Sequence, residues 1–422
     1  MSNFIYPAQV ATQSLGSFRT DVVSEKESTP IEGAKVQIFN ENVEVTDMPI
    51  EELTTDSNGQ TAVVELNAPN IEYSLEPSAI RPYSEYTIVV SAPGYETVYI
   101  NGSEILADVT SIQNIKMVPL IEENTAETFV IGDHTLYGDY PPKIMESEVK
   151  DIEETGEIVL SRPVIPEYVV VHDGPPTDAS ATNYYVKYKD YIKNVACSEI
   201  YATWPESTIT ANVLAIMSFT LNRVFTEWYR NKGYNFTITT STAFDQKWIN
   251  NRNIYANIST IVDSIFTNFL SRPGIIQPIL TQSCDGQRVS CPGVMTQWGS
   301  KTLGDRGYSA IEILRYYYGS DIYINTATQV SGVPSSWPTY NLNIGASGNN
   351  VRTIQRQLNK IASAYPQVPT VTVDGRYGEG TANAVRNFQR IFGLPQSGIV
   401  DFPTWYKISE IYVGVSKIAE YM

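Results

Sequence analysis

The carboxyl group best placed to move a proton in this chain is Glu199. It closes the run YIKNVACSE (191–199) and sits among Val195, Ile200, Tyr201 and Trp204. Apolar and aromatic neighbours strip water from the charged form of a carboxyl group. Its pKa rises toward the range in which it can act as a general acid. From the residues alone, a lone glutamate ahead of a Trp-Pro pair is more often an exposed turn residue, so both readings stand at this level. No second carboxylate is equally well placed. Glu206 falls in the first turn of the next helix, where the dipole favours its charge and a capping role. Asp245 and Asp285 read more readily as structural. A metal centre is not expected: the chain has two histidines, His134 and His172, and neither lies at ligand spacing from Cys197, Cys284 or Cys291.

An acid of this kind needs rigid elements to hold it. Pro205 has a backbone angle suited to opening a helix. From Ile209, apolar residues recur at helical spacing (Val213, Ile216, Phe219, then Val224 and Trp228), which predicts a long, largely buried helix. A short aromatic turn would then deliver Glu199 to the mouth of that helix.

Composition narrows the function classes. The chain has 422 residues and a formal charge of −17. Residues 1–165 carry 28 acidic against 8 basic side chains, and residues 166–422 carry 18 against 21. Neither part presents a basic stripe, so a nucleic-acid partner is not expected. No apolar run approaches the roughly 20 residues of a membrane span. The first 20 residues lack the basic start and apolar core of a secretory signal. The acidity of the N-terminal part suits a removable segment on a body that must approach an anionic polymer, although surface charge also varies between domains without such a purpose. Three cysteines are too few for a disulfide framework; Cys284 and Cys291 are close enough in sequence to pair.

Residues 17–120 read as short alternating strands (34–39, 61–66, 86–91, 97–100, 112–117), broken by turns at Asp56-Ser57-Asn58-Gly59 and Ala92-Pro93-Gly94. The order PIEGAKVQIFN, LTTDSNGQTAVVEL, YTIVVSAPGYETVYI resembles the transthyretin-like, carboxypeptidase-regulatory-like β-sandwich. Residues 121–162 are acidic with scattered apolar positions and a Pro-Pro pair, and read as a linker and processing region open to a protease. In residues 163–325 the pattern mixes helix and strand: a strand in VIPEYVVVHDG, β-rich YNFTITTSTAFDQKW, helical spacing over 257–271, a strand and glycine-rich loop over 275–307, then a helix and a short strand.

Two stretches of that region, NVACSEIYATWPESTITANVLAIMSFTLNR and CPGVMTQWGSKTLGDRGYSAIEILRYYYG, resemble the two motifs of the SpoIID-type lytic transglycosylases. Ser198, Glu199, Trp204, Pro205, Glu206 and Arg223 fall in register with the first. The resemblance implies that Glu199 is the catalytic residue. It further implies substrate-binding roles for Gln282, Gln297 and Trp298, the amides of the two glutamines suiting N-acetyl groups. Tyr201 and Trp204 would stack on sugar faces or close the core. The second motif here has cysteines and no histidine, which sets aside the zinc known in that group; neither a metal nor any other cofactor is expected.

After a linker at 326–340, residues 341–422 resemble the small three-helix peptidoglycan-binding module. The signature runs through Val351, Ile354 and Leu358, the turn Asp374-Gly375-Arg376-Tyr377-Gly378, then Ala384, Val385, Phe388 and Trp405. The expected fold is thus multidomain: an all-β sandwich (1–120), the linker (121–162), an α+β catalytic domain (163–325), the second linker and the three-helix module. This order resembles the spore-cortex-lytic enzymes of clostridia and relatives. It implies a zymogen held in the spore outside its core, with cortex peptidoglycan as substrate and a subtilisin-like Csp protease as activating partner. An amidase, which normally needs a metal or an activated nucleophile, and a non-enzymatic wall- or coat-binding protein remain the alternatives.

Overall fold

The computed structural model describes residues 14–25, 28–41, 48–120, 125–146 and 159–416. Much of the expected processing region (121–124 and 147–158) lies outside the described residues, as does most of the N-terminal stretch read for a signal.

Among the described residues, the N-terminal unit has eight strands: β1 (Ser14–Ser24), β2 (Lys35–Asn40), β3 (Glu51–Thr54), β4 (Val64–Ala68), β5 (Tyr83–Ser91), β6 (Thr97–Leu106), β7 (Thr110–Met117) and β8 (Ala126–Val130). A one-turn helix, α1 (Glu72–Leu75), precedes β5. Alternate residues of β1 are buried, the period-two pattern of a strand with one face on a core. One sheet runs β3-β2-β5-β6-β8, and the other contains β7-β1-β4. Phe18, Val22 and Ile115 of the second sheet share one core with Val36, Ile88 and Ile100 of the first, which makes a sandwich. The Asp56 turn is closed by its own carboxylate, which accepts from the amides of Asn58 (2.8 Å) and Gln60 (3.1 Å). Gly59 takes the positive φ of +73° that the turn requires.

The central unit begins with β9 (Tyr168–His172) and β10 (Asn183–Lys187), an antiparallel pair joined on its other edge by the two-residue β11 (Ile238–Thr239). Its helices are α2 (Tyr188–Glu199), α3 (Glu206–Phe225), α4 (Ala256–Ile265), α5 (Gln297–Asp305) and α6 (Ala310–Tyr318). By length and composition α3 is apolar enough to cross a membrane, yet 89% of its apolar window is buried inside the structure. It is the helix around which the other central helices pack.

Three local expectations change. The segment expected to be β-rich after Tyr234 holds only β11. Its chain wraps around the buried Asp245 carboxylate, which takes the Thr239 amide (3.0 Å) and hydroxyl (2.7 Å) and the Tyr229 hydroxyl (2.6 Å). The helical spacing over 257–271 ends at Ile265, and Asn268–Ser271 pairs instead with Tyr323–Thr326. That pairing comes from a strand more than fifty residues away, beyond the reach of local periodicity. The strand expected after residue 275 shrinks to Ser283–Cys284, which pairs with Met295–Thr296.

The sandwich is built into the central unit. A two-residue strand, β12 (Ile254–Tyr255), pairs with β7 and completes the sandwich's second sheet as β12-β7-β1-β4. Beside it the Arg252 guanidinium forks onto the buried Glu104 carboxylate (2.9 and 2.5 Å), and Tyr255 donates to the same group (3.1 Å). Asn253 bonds both backbone groups of Glu104.

The C-terminal unit packs α7 (Asn349–Ala362), α8 (Glu379–Ile391) and α9 (Phe402–Ser416) around Ile354, Leu358, Val385, Phe388 and Trp405. It is docked on both other units. Phe402 and Tyr406 meet Phe266, Lys189 bridges Asp263 and Glu410, and Gln60 of the sandwich donates to the Ile391 carbonyl (2.9 Å). The linker expected at 326–340 is held as well: Trp337 packs on Trp405, whose indole donates to the Ser335 carbonyl (3.1 Å).

Candidate active site

Glu199 is the last residue of α2, and its backbone ends at the negative pole of that helix, a poor place for a carboxylate. Ile200 leaves the helix in an extended conformation, Trp204 precedes Pro205, and α3 opens at Glu206. The expected aromatic turn therefore joins two helices, with Glu199 at the end of the first. Val195, Ile200, Tyr201 and Trp204 are all buried around it.

Glu199 as a whole residue is only 6% exposed. One oxygen accepts the Lys247 amide at 2.7 Å, and the other lies 3.4 Å from the Gln297 amide nitrogen. Lys247 is brought there by Asn194 of α2, whose side chain bonds both backbone groups of Ile249 (2.9 and 2.7 Å). Burial pushes the Glu199 pKa up, opposed by the Lys143 ammonium and the Lys247 amide.

Gln297 and Trp298 open α5, and α5 reaches α3 because of a glycine. A Cβ on Gly304 would lie 1.9 Å from the Thr208 hydroxyl. Asn212 of α3 then donates to the Ser300 hydroxyl (2.8 Å), fixing the register of the two helices. This brings the expected pair Glu199 and Gln297, distant in sequence, into one cleft.

The other expected residues divide. Trp298 packs on Trp204 (centroids 5.1 Å) and Tyr201 (6.1 Å), and all three are at most 5% exposed. The Trp204 indole donates to the Ser74 carbonyl of the sandwich (2.8 Å). These rings form a wall behind Glu199 and offer no free face. Gln282 is 2% exposed, with both ends of its amide bonded to backbone: it donates to the Ile144 carbonyl (2.7 Å) and accepts from the Glu146 amide (3.1 Å).

The remaining carboxylates are committed. Arg223, the arginine of the first motif, pairs with Asp245 at 2.7 Å and forks onto Glu146 at 2.7 and 2.9 Å. Asp285 lines the cleft, but its two oxygens accept the amides of Arg288 (2.8 Å) and Val289 (2.9 Å). It shapes the loop closed by the Cys284–Cys291 disulfide. Cys197 is buried and unpaired, and burial pushes its thiol up to about 12. His134 is fully buried and driven toward its neutral form by burial; its ring packs at a tilt against Tyr201 (centroids 4.5 Å). Among the described residues no three His, Cys, Asp or Glu side chains converge as a metal site.

Sequence reasoning missed the other side of the cleft. It is made by the segment read as a linker, through Thr135, Gly138, Tyr140, Pro141 and Lys143. The available signal was the compact Pro141-Pro142-Lys143 placed in an otherwise acidic stretch.

Residues 347–408 match the family described as "Putative peptidoglycan binding domain". The C-terminal helical unit matches a peptidoglycan-binding domain. The family signature falls on α7, α8 and α9, so the peptidoglycan-binding unit is the one docked against the sandwich and α4. Among solved structures, the SleB N-terminal domain is 34% identical over 18% of this chain and 99% of its own length, with a TM-score of 0.16. Catechol 1,2-dioxygenase of Acinetobacter radioresistens is 17% identical, covering 28% of this chain and 59% of its own, with a TM-score of 0.18. The minor pilin GBS52 of Streptococcus agalactiae is 14% identical, covering 27% and 48%, with a TM-score of 0.19. No curated protein matches the chain.

Proposed function

We propose that this protein is a peptidoglycan-cleaving enzyme of the spore cortex, a lytic transglycosylase of the SleC kind with Glu199 as its acid and base. The observation that carries the reading is a buried carboxyl group with a raised pKa, facing a cleft, on a chain that also bears a peptidoglycan-binding domain. Protonated Glu199 donates to the glycosidic oxygen between N-acetylmuramic acid and N-acetylglucosamine. As a carboxylate it then takes the proton of the C6 hydroxyl. That oxygen bonds to the anomeric carbon and closes a 1,6-anhydro ring, and Glu199 regains its proton. One carboxyl group suffices for both steps, whereas hydrolysis normally employs two. Glu199 is the cleft carboxylate not consumed by backbone amides on both oxygens, since Asp285 is capped. Gln297, beside it, is suited to hold an acetamido group. The full chain is the stored zymogen, and a subtilisin-like protease cutting between the sandwich and the central unit starts activation.

The test uses the full chain carrying a specific protease site within 147–158, before and after cutting, beside the same chain with Glu199→Gln. Each is incubated with cortex peptidoglycan and the products are read by mass spectrometry. Anhydromuramyl ends from the cut chain alone, absent with Glu199→Gln, are the expected result. Reducing ends would replace transglycosylation by hydrolysis, and freed peptide stems on intact glycan would point to an amidase. Binding without any product would make this a wall-binding protein.

A further inference from the structure

The cleft at Glu199 leaves a cavity of only about 50 Å³, far below the roughly 300–1,000 Å³ of sites that hold a small-molecule ligand. It is small because the chain itself fills it. Residues 133–146 cross the face of the central unit as a strap, bonded along their length. The Thr135 amide and hydroxyl donate to the Ser198 carbonyl (3.0 and 3.1 Å), directly beside Glu199. Arg288 donates to the Gly138 carbonyl (2.6 Å), and the Tyr140 ring lies under the Lys247 ammonium (5.1 Å). Lys143 reaches into the cleft and donates to the Asp245 carbonyl. The Ile144 amide donates to the Ala243 carbonyl (2.7 Å), and Glu146 ends the strap in the fork of Arg223.

The chemistry of these contacts resembles that of a glycan. Gln282 gives one N–H to a strap carbonyl and takes one strap N–H, the same donor and acceptor pair an N-acetyl group presents. A buried amide such as Gln282 cannot be left unbonded without penalty, so whatever displaces the strap must supply both groups. A basic side chain beside the acid completes the mimicry, because positive charge develops on the sugar ring in the transition state of glycoside cleavage.

We propose that residues 133–146 are a built-in pseudo-substrate: they occupy the glycan cleft of the full chain, with their peptide groups on Gln282 where an acetamido group of the substrate will bind, and the cleft opens only when they leave. This rests on the transglycosylase reading and names how that site is regulated. The sandwich is then the anchor of the inhibitor, and the strap is its active part. A cut after Glu146 frees one end of the strap, while a cut before Asp133 would leave its bonds to Gln282 and Arg223 in place. The ammonium of Lys143 also holds Glu199 toward its charged form while the strap is in place.

The decisive variant is the uncut full chain with Lys143→Ala and Glu146→Ala. It is assayed on cortex peptidoglycan beside the uncut and cut parent chains. We expect product release at least tenfold above the uncut parent without any proteolysis. A second variant replaces residues 137–146 by a Gly/Ser stretch of equal length, and the melting transition and peptidoglycan pull-down report that both variants are folded. Activity in the cut parent with none in either folded variant would overturn the strap and leave the enzyme reading intact. No product from any form, with pull-down retained, would overturn the enzyme reading and the strap with it.

Discussion

At the residue scale, Glu199 is held by opposing forces. Burial and the end of α2 disfavour its charge, and the Lys247 amide with the Lys143 and Lys247 ammonium groups restores part of it. Glu199→Gln keeps the shape and an acceptor for the Lys247 amide but removes the proton. Glycan cleavage by the cut chain should fall at least about 100-fold, in line with the usual contribution of a general acid, while sedimentation with peptidoglycan is unchanged. Equal loss of binding and cleavage would instead indicate a damaged fold. The raised pKa also has a signature in stability. The folded state holds this proton more tightly than the unfolded chain, whose carboxyl group titrates near 4.5. The stabilisation is complete below that pH and is lost as pH rises through the raised value. Melting curves from pH 4 to 8 should therefore show Glu199→Gln gaining on the parent as pH rises. A difference that stays constant with pH would mean that burial does not perturb this group.

At the scale of elements, the join between sandwich and central unit rests on β12 and on the Glu104–Arg252 pair. Both side chains are essentially inaccessible, and burial pushes Glu104 up while Arg252 pulls it down. Removing one partner of such a pair leaves a buried charge and costs about 3–5 kcal/mol, whereas replacing both with apolar groups is often neutral. Arg252→Met should thus lower the urea midpoint strongly, and adding Glu104→Leu should restore most of it. If the double variant is as unstable as the single one, then geometry rather than charge dominates the join. Local pattern revealed neither β12 nor the strap, because two residues of strand and an extended segment have no periodicity to read. α3, α7 and α8 were legible because apolar positions such as Val351, Ile354 and Leu358 repeat on one face, whereas the third helix of the module was expected only from the family resemblance.

At the largest scale, packed contacts join the three units, and a single cut in the chain between them removes none of those contacts. After a cut within 147–158, the sandwich remains bonded through β12 and β7, Glu104 and Arg252, and Ser74 with Trp204. The two pieces should co-elute in size-exclusion chromatography at moderate salt and part only in denaturant. Separation in plain buffer would show that the sandwich is shed on activation. Retention would mean that the strap moves while its anchor stays. The acidic excess of residues 1–165 would then remain near the anionic wall polymer, and its repulsion should weaken as salt is raised.

Legible in the sequence were the parts whose information is local or repeated in a motif: β2, β4, β5, β6 and β7 of the sandwich but not β1, β3 or β8, the buried course of α3, the Asp374-Gly375 turn, and Glu199 as the candidate acid. What those parts do to one another follows from how they pack. The packing placed Gln297 at Glu199 through the glycine contact between α5 and α3, committed Asp245 and Asp285 to structural bonds, and turned Tyr201, Trp204 and Trp298 into a wall. It also put the segment 133–146 into the cleft. Apart from the short-range Asp285 turn, each of these depends on groups far apart in the chain coming into contact, and no spacing within a single segment encodes such a meeting.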